Sequence, residues 1–64
     1  MKIEVTQFVK EYSSYIKRNC VVYETTEQGL ADVVKYFNFE KLPNGNYRRT
    51  VAYNEFERIR ILEK

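Results

Sequence analysis

The stretch Pro43-Asn44-Gly45-Asn46-Tyr47-Arg48-Arg49 carries the strongest local signal in the chain. Proline fixes the entry into a turn, glycine takes positive φ without penalty, and asparagine tolerates it. Behind the turn the side chains alternate, with Tyr47, Arg49, Val51 and Tyr53 on one side and Arg48, Thr50 and Ala52 on the other. This pattern predicts a tight hairpin turn at 43–46 followed by a strand with one solvated face.

Upstream of the turn, the spacing of apolar residues predicts a helix over 6–19. Its apolar positions follow i, i+1, i+4, i+7 and i+8, at Phe8, Val9, Tyr12, Tyr15 and Ile16. Thr6 has the hydroxyl of an N-cap residue. Short apolar segments on either side, at 1–5 and 20–23, are predicted to be extended.

A second helix is predicted to begin at Thr26, which can cap its first turn. Its apolar positions again repeat as i, i+3, i+4 and i+7, at Leu30, Val33, Val34 and Phe37. The sequence does not determine where this helix ends, because apolar and polar residues alternate over 37–42 and could equally begin a strand. Pro43 ends either element.

The C-terminal segment 54–64 has two interpretations. As a helix it has an N-cap at Asn54, a capping-box glutamate at Glu57, and Phe56 and Ile59 facing the core. As a strand it has Ile59 and Ile61 alternating with Arg58 and Arg60, after a two-residue turn. The cap and the helix-forming composition favour the helix.

Length and composition limit the range of functions. The 64 residues allow one small domain, 1–64, which buries only about 60% of the surface of its unfolded chain. There is no histidine and a single cysteine, Cys20, so zinc sites, Cys/His nucleophiles and internal disulfides are excluded. No carboxylate spacing or glycine-rich phosphate loop points to catalysis. We therefore expect a non-enzymatic protein without metal or cofactor.

Charge and hydropathy point to a cytoplasmic protein with a polyanionic partner. The net charge is +2, but residues 1–32 carry four basic and five acidic side chains, while residues 33–64 carry seven basic and four acidic ones. No apolar stretch approaches the ~20 residues of a membrane span. The lone thiol of Cys20 fits a reducing compartment, where it is most simply a small core residue.

The C-terminal half resembles the MerR-type winged-helix pattern. The residues that carry the resemblance are Val34-Lys35-Tyr36-Phe37-Asn38-Phe39-Glu40-Lys41-Leu42-Pro43, then Asn44-Gly45-Asn46-Tyr47-Arg48-Arg49, then Phe56-Glu57-Arg58-Ile59-Arg60-Ile61-Leu62. The resemblance implies an α+β winged-helix-like domain, with two or three helices and a C-terminal β-hairpin. Small excisionases share that fold. The extra Asn46 and the long segment 15–29 depart from the pattern.

The resemblance also implies a function and a site. It predicts a small DNA-binding regulator or excisionase-like factor, of phage or mobile-element type, that binds duplex DNA. Lys35 and Tyr36 would face the bases, and Arg48 would be the wing arginine. The order of elements places both arginines beside the phosphates. The full set of candidate DNA contacts is Lys35, Tyr36, Lys41, Asn46, Tyr47, Arg48 and Arg49.

An alternative function is binding of a host protein, as a phage-type inhibitor or modulator. Six tyrosines and four phenylalanines exceed the needs of so small a core. Tyrosine and arginine are also enriched in interface hot spots. A homodimer is expected in the DNA-binding case, because a single small reader buries little surface on DNA.

Overall fold

The computed structural model describes all residues from 1 to 64, in one five-stranded antiparallel sheet with a single helix. The elements in chain order are β1 (Lys2–Glu11), β2 (Ser14–Glu24), α1 (Glu27–Tyr36), β3 (Glu40–Lys41), β4 (Tyr47–Ala52) and β5 (Glu55–Glu63). The strand order across the sheet is β2-β1-β5-β4-β3, so β2 and β3 are the edges. The N- and C-terminal strands β1 and β5 are neighbours at its centre.

The winged-helix prediction is wrong. Strands make up 59% of the chain and helix only 16%, in the single element α1. The segment 6–19 is the hairpin of β1 and β2, and the segment 54–64 contributes β5. Aromatic and β-branched residues favour strands. The helical spacing of Phe8, Tyr12 and Ile16 is coincidental, because these residues fall in β1, in the turn and in β2.

The turn of the β1–β2 hairpin lacks the residues that normally predict a turn. Glu11 and Ser14 pair across it, so the turn consists of Tyr12 and Ser13 alone. Tyr12 adopts a φ of 56° and is fully exposed. This left-handed backbone normally selects glycine or asparagine. Because tyrosine is not a typical turn residue, the sequence does not predict this hairpin.

The second predicted helix and the glycine turn are confirmed. In α1 the hydroxyl of Thr26 accepts a hydrogen bond from the Gly29 backbone N–H at 3.0 Å, as an N-cap does. The turn joins β3 to β4, and Gly45 takes a φ of 89° in it. Its N–H donates to the Leu42 carbonyl at 3.0 Å. Both signals are local, which is why the sequence alone is sufficient for them.

The hydrophobic core is small and lies between α1 and the sheet. Ile3, Leu30 and Ile59 are its only buried apolar residues. Around them pack the half-buried Met1, Val5, Val34, Phe39, Tyr47 and Ile61. The helix α1, at ten residues, is neither long nor apolar enough to cross a membrane. We call the side of the sheet that carries α1 the helix face, and the other side the open face.

Candidate nucleic-acid interface

The open face carries the cationic side chains of the central strands. Strand alternation and the pairing register place on it Glu4, Thr6 and Phe8 of β1, Phe56, Arg58 and Arg60 of β5, and Arg48 and Thr50 of β4. Tyr15 of β2 joins them beside Phe56. We call Arg48, Arg58, Arg60, Phe8, Phe56 and Tyr15 the open-face cluster. No helix packs over it, because α1 lies on the opposite side.

Aromatic rings hold two of the arginines in place. Phe8 and Phe56 are opposite each other on β1 and β5, and their rings stack with centroids 4.7 Å apart. The guanidinium carbon of Arg48 lies 4.3 Å from the centre of the Phe56 ring. That of Arg58 lies 5.0 Å from the centre of the Phe8 ring. Guanidinium groups over rings retain N–H donors at their edges, so they can still bind an anion.

One carboxylate lies among the arginines. Glu4 is mostly buried, and its oxygens lie 3.3 Å from Nη2 of Arg60 and 3.6 Å from Nη2 of Arg58. The hydroxyl of the fully buried Thr6 lies 3.5 Å from the same carboxylate. Arg48 makes no ion pair. Glu40 of β3 lies directly opposite Arg48 on the same face but forms no ion pair with it. The three arginines therefore outnumber the two carboxylates beside them.

Exposed tyrosines lie at one end of the sheet. The β1–β2 and β4–β5 hairpins turn at the same end, since Val9 of β1 pairs with Glu55 of β5. Tyr12 and Tyr53 are fully exposed at these turns, and Tyr15 of the open-face cluster is half exposed. Rings with free faces are the platforms on which unpaired bases stack. The strained backbone of Tyr12 and its lack of burial agree with a role for this ring outside the fold.

The two adjacent arginines of the sequence lie on opposite faces. Arg48 belongs to the open-face cluster. Arg49 points to the helix face, where its Nε donates to Glu57 at 2.6 Å and its guanidinium lies over the rings of Phe37 and Phe39. Because strand neighbours alternate, the two cannot contact one phosphate strand together. Arg49 forms an ion pair within the fold, whereas Arg48 is exposed and forms none.

The other predicted contacts lie away from the open face. Lys35 and Tyr36 are exposed at the end of α1. Lys41, Asn46 and Tyr47 line a cleft of about 490 Å³ between α1 and the β3–β4 turn. Glu27 and Glu63 line the same cleft, so it has no excess of positive charge. The structure brings these three together but separates them from Arg48.

Several cluster residues are missing from the sequence-based prediction. Phe56, Arg58 and Arg60 occur at every second position, which is the alternation of the strand interpretation of the tail. The helix interpretation of that segment does not bring them together. Phe8 and Tyr15 are apolar positions of the predicted helix 6–19, which does not form. The pairing of β1 with β5, across some fifty residues of sequence, has no local signature.

Comparison with protein-family models, curated protein sequences and solved structures gives no match to this chain.

Proposed function

We propose that this chain is a non-enzymatic nucleic-acid-binding protein whose open face holds a single strand. The observation that carries the proposal is the open-face cluster, in which three arginines and three aromatic rings lie on a sheet face without a covering helix. Sheets with aromatic and cationic side chains bind single-stranded nucleic acid by stacking the bases and pairing with the phosphates. Arg48, Arg58 and Arg60 supply the phosphate contacts, and the exposed tyrosines supply the stacking.

A single strand suits this surface better than duplex DNA. Reading of the major groove requires an element that enters it, such as a helix with base-reading side chains at one end. The helix α1 packs its apolar side on the sheet, and its first turn begins with Glu27. The open face is a broad surface that a flexible strand can follow.

Salt titration of binding to a labelled 20-nucleotide poly(dT) tests the proposal. Three arginines with help from Lys10 and Lys17 give ~3 to 5 phosphate contacts, so the logarithm of affinity should fall with the logarithm of salt at a slope of about −2 to −3.5. A duplex of the same length should bind more weakly. Absence of binding to the oligonucleotide at ~50 mM salt overturns the proposal, and tighter binding of the duplex overturns the preference for single strands.

Removing the negative charge of Glu4, which lies among the cluster arginines, should strengthen nucleic-acid binding. In Glu4→Gln the side chain keeps its shape, but Arg58 and Arg60 lose the charge that competes with phosphate. We expect about one additional effective contact, a slope steeper by ~0.7, and roughly tenfold higher affinity at ~50 mM salt. The fold should lose about 1 kcal/mol, since the pairs are partly exposed. Glu63→Gln, which removes only a surface partner of Lys2, is the matched control; equal affinities for the two variants would contradict the assignment.

Binding of another protein is the second candidate function, and the exposed apolar surface favours it. Twelve large hydrophobic side chains are exposed. A groove of about 360 Å³ runs between α1 and β2, lined by Tyr23, Val33, Phe37 and Phe39 among others. If the oligonucleotide does not bind, this candidate takes its place. In that case Val33→Asp should abolish binding of the partner protein, whereas Arg48→Ala should leave it unchanged.

A further inference from the structure

The outer edge of β2 is a long strand edge without a partner. β2 is eleven residues long, lies at the end of the sheet, and has every residue exposed. The relative solvent-exposed areas of Val21, Val22 and Tyr23 are 45%, 54% and 50%. From Cys20 to Tyr23, beyond the bulge at Arg18, the edge is apolar. Such an edge presents free backbone N–H and C=O groups and is a template for pairing with another chain.

The backbone groups that point outward can be assigned from the pairing at the base of the hairpin. Met1 and Thr25 exchange two hydrogen bonds, at 3.0 Å and 2.9 Å. Bonded and non-bonded pairs alternate along an antiparallel ladder. The N–H and C=O groups of Cys20, Val22 and Glu24 therefore face away from β1. An added antiparallel strand must pair through these three residues.

We infer that a second copy of this chain pairs with β2, antiparallel and related by a two-fold axis at Val21. In this register Val21 lies opposite Val21 of the other copy, Cys20 opposite Val22, and Arg18 opposite Glu24. Because each contact occurs twice, the interface is self-complementary and closes on itself. The inference rests on the edge and not on the open face, so it stands apart from the proposed function.

Neighbouring registers are less favourable. An axis at Val22 places Glu24 opposite Cys20 without a cation. An axis at Cys20 places Arg18 opposite Val22 and carries the pairing through the bulge at Arg18, whereas the axis at Val21 ends the pairing at that residue. Only the axis at Val21 joins the apolar residues to one another and the opposite charges to one another. This charge complementarity is the reason to assign the edge to a second copy.

The dimer would be one ten-stranded sheet. The two-fold axis of an antiparallel strand pair is perpendicular to the sheet, so both helices lie on one side and both open faces on the other. With only three buried apolar residues per chain, a domain of this size gains from oligomerisation.

Sedimentation equilibrium under reducing conditions tests the inference. We expect the wild type to be a dimer at tens of micromolar, and Val22→Pro to be a monomer with an unchanged circular dichroism spectrum. Proline removes the outward N–H, which has no partner within the chain, and edge strands accept proline. Val22→Thr keeps that N–H and should remain a dimer. A monomeric wild type, or a Val22→Pro variant that remains a dimer, overturns the inference.

A charge swap tests the register without relying on proline. Arg18→Glu places like charges opposite each other twice and should raise the dimer dissociation constant at least tenfold, as should Glu24→Arg alone. The double variant Arg18→Glu, Glu24→Arg restores opposite charges and should dimerise within about threefold of the wild type. Failure of the double variant to recover dimerisation overturns the register. Oligonucleotide binding by the monomeric Val22→Pro variant, measured in parallel, separates this result from the fate of the proposed function.

Discussion

Replacement of Ile59 by alanine is expected to unfold a large part of the protein at 37 °C. Ile59 is fully buried at the centre of the core, where β5 packs against Val5 of β1, Tyr47 of β4 and the side of α1. Truncating a buried isoleucine costs about 2 to 5 kcal/mol, through lost transfer free energy and the cavity that remains. A domain of this length has only about 3 to 10 kcal/mol of stability.

Urea denaturation followed by circular dichroism measures this effect, at one fixed protein concentration because a dimer makes stability depend on concentration. Ile16→Ala is the matched control. Ile16 is about half exposed in β2, so its truncation should cost less than ~1 kcal/mol. A loss at Ile59 no larger than at Ile16 would mean that the core between α1 and the sheet does not carry the stability of the fold.

The elements that the sequence predicts are those whose signals are local. Thr26 caps α1, and the apolar repeat from Leu30 to Phe37 covers the helix that is observed. Gly45 supplies the positive φ at the β3–β4 turn. Each of these depends on residues within about ten positions of one another. No distant part of the chain can change such a turn or cap at small cost.

The elements that the sequence does not predict depend on distant pairing. The segment 6–19 has helical spacing, yet it becomes β1 and β2 because β1 can then pair on both sides, with β2 and with β5. The same pairing selects the strand interpretation of the tail. Burying Ile59 beside Ile3 outweighs the capping box at Asn54, since a cap contributes about 1 kcal/mol and a buried isoleucine more.

The candidate site follows from that pairing. Arg48 was predicted from the turn and is part of the open-face cluster, but its neighbours in the sequence are not its neighbours in the site. Arg58 and Arg60 come from β5, and Phe8 comes from β1. Alternation along β4 assigns Arg49 to the other face, where Glu57 and the rings near α1 hold it. The residues of the site can be grouped only when the strand order of the sheet is known.

Removal of two cluster arginines should have the largest effect on nucleic-acid binding. Arg48 and Arg60 are both exposed, so Arg48→Ala with Arg60→Ala should leave the fold almost unchanged. Loss of two phosphate contacts flattens the salt slope for poly(dT) by ~1.4 and lowers the affinity roughly fiftyfold at ~50 mM salt. Fluorescence anisotropy over a range of salt concentrations measures both quantities.

The matched control removes the same charge from the residues that the winged-helix resemblance selects. Lys35→Ala with Lys41→Ala takes two cations from the end of α1 and from β3, on the side of the sheet opposite the cluster. If the open face binds the strand, this variant should lose less than about threefold in affinity, by long-range charge alone. A larger loss from the lysine pair than from the arginine pair would place the nucleic acid on the helix face. In that case the open-face cluster would be a structural feature that ties β1 to β5.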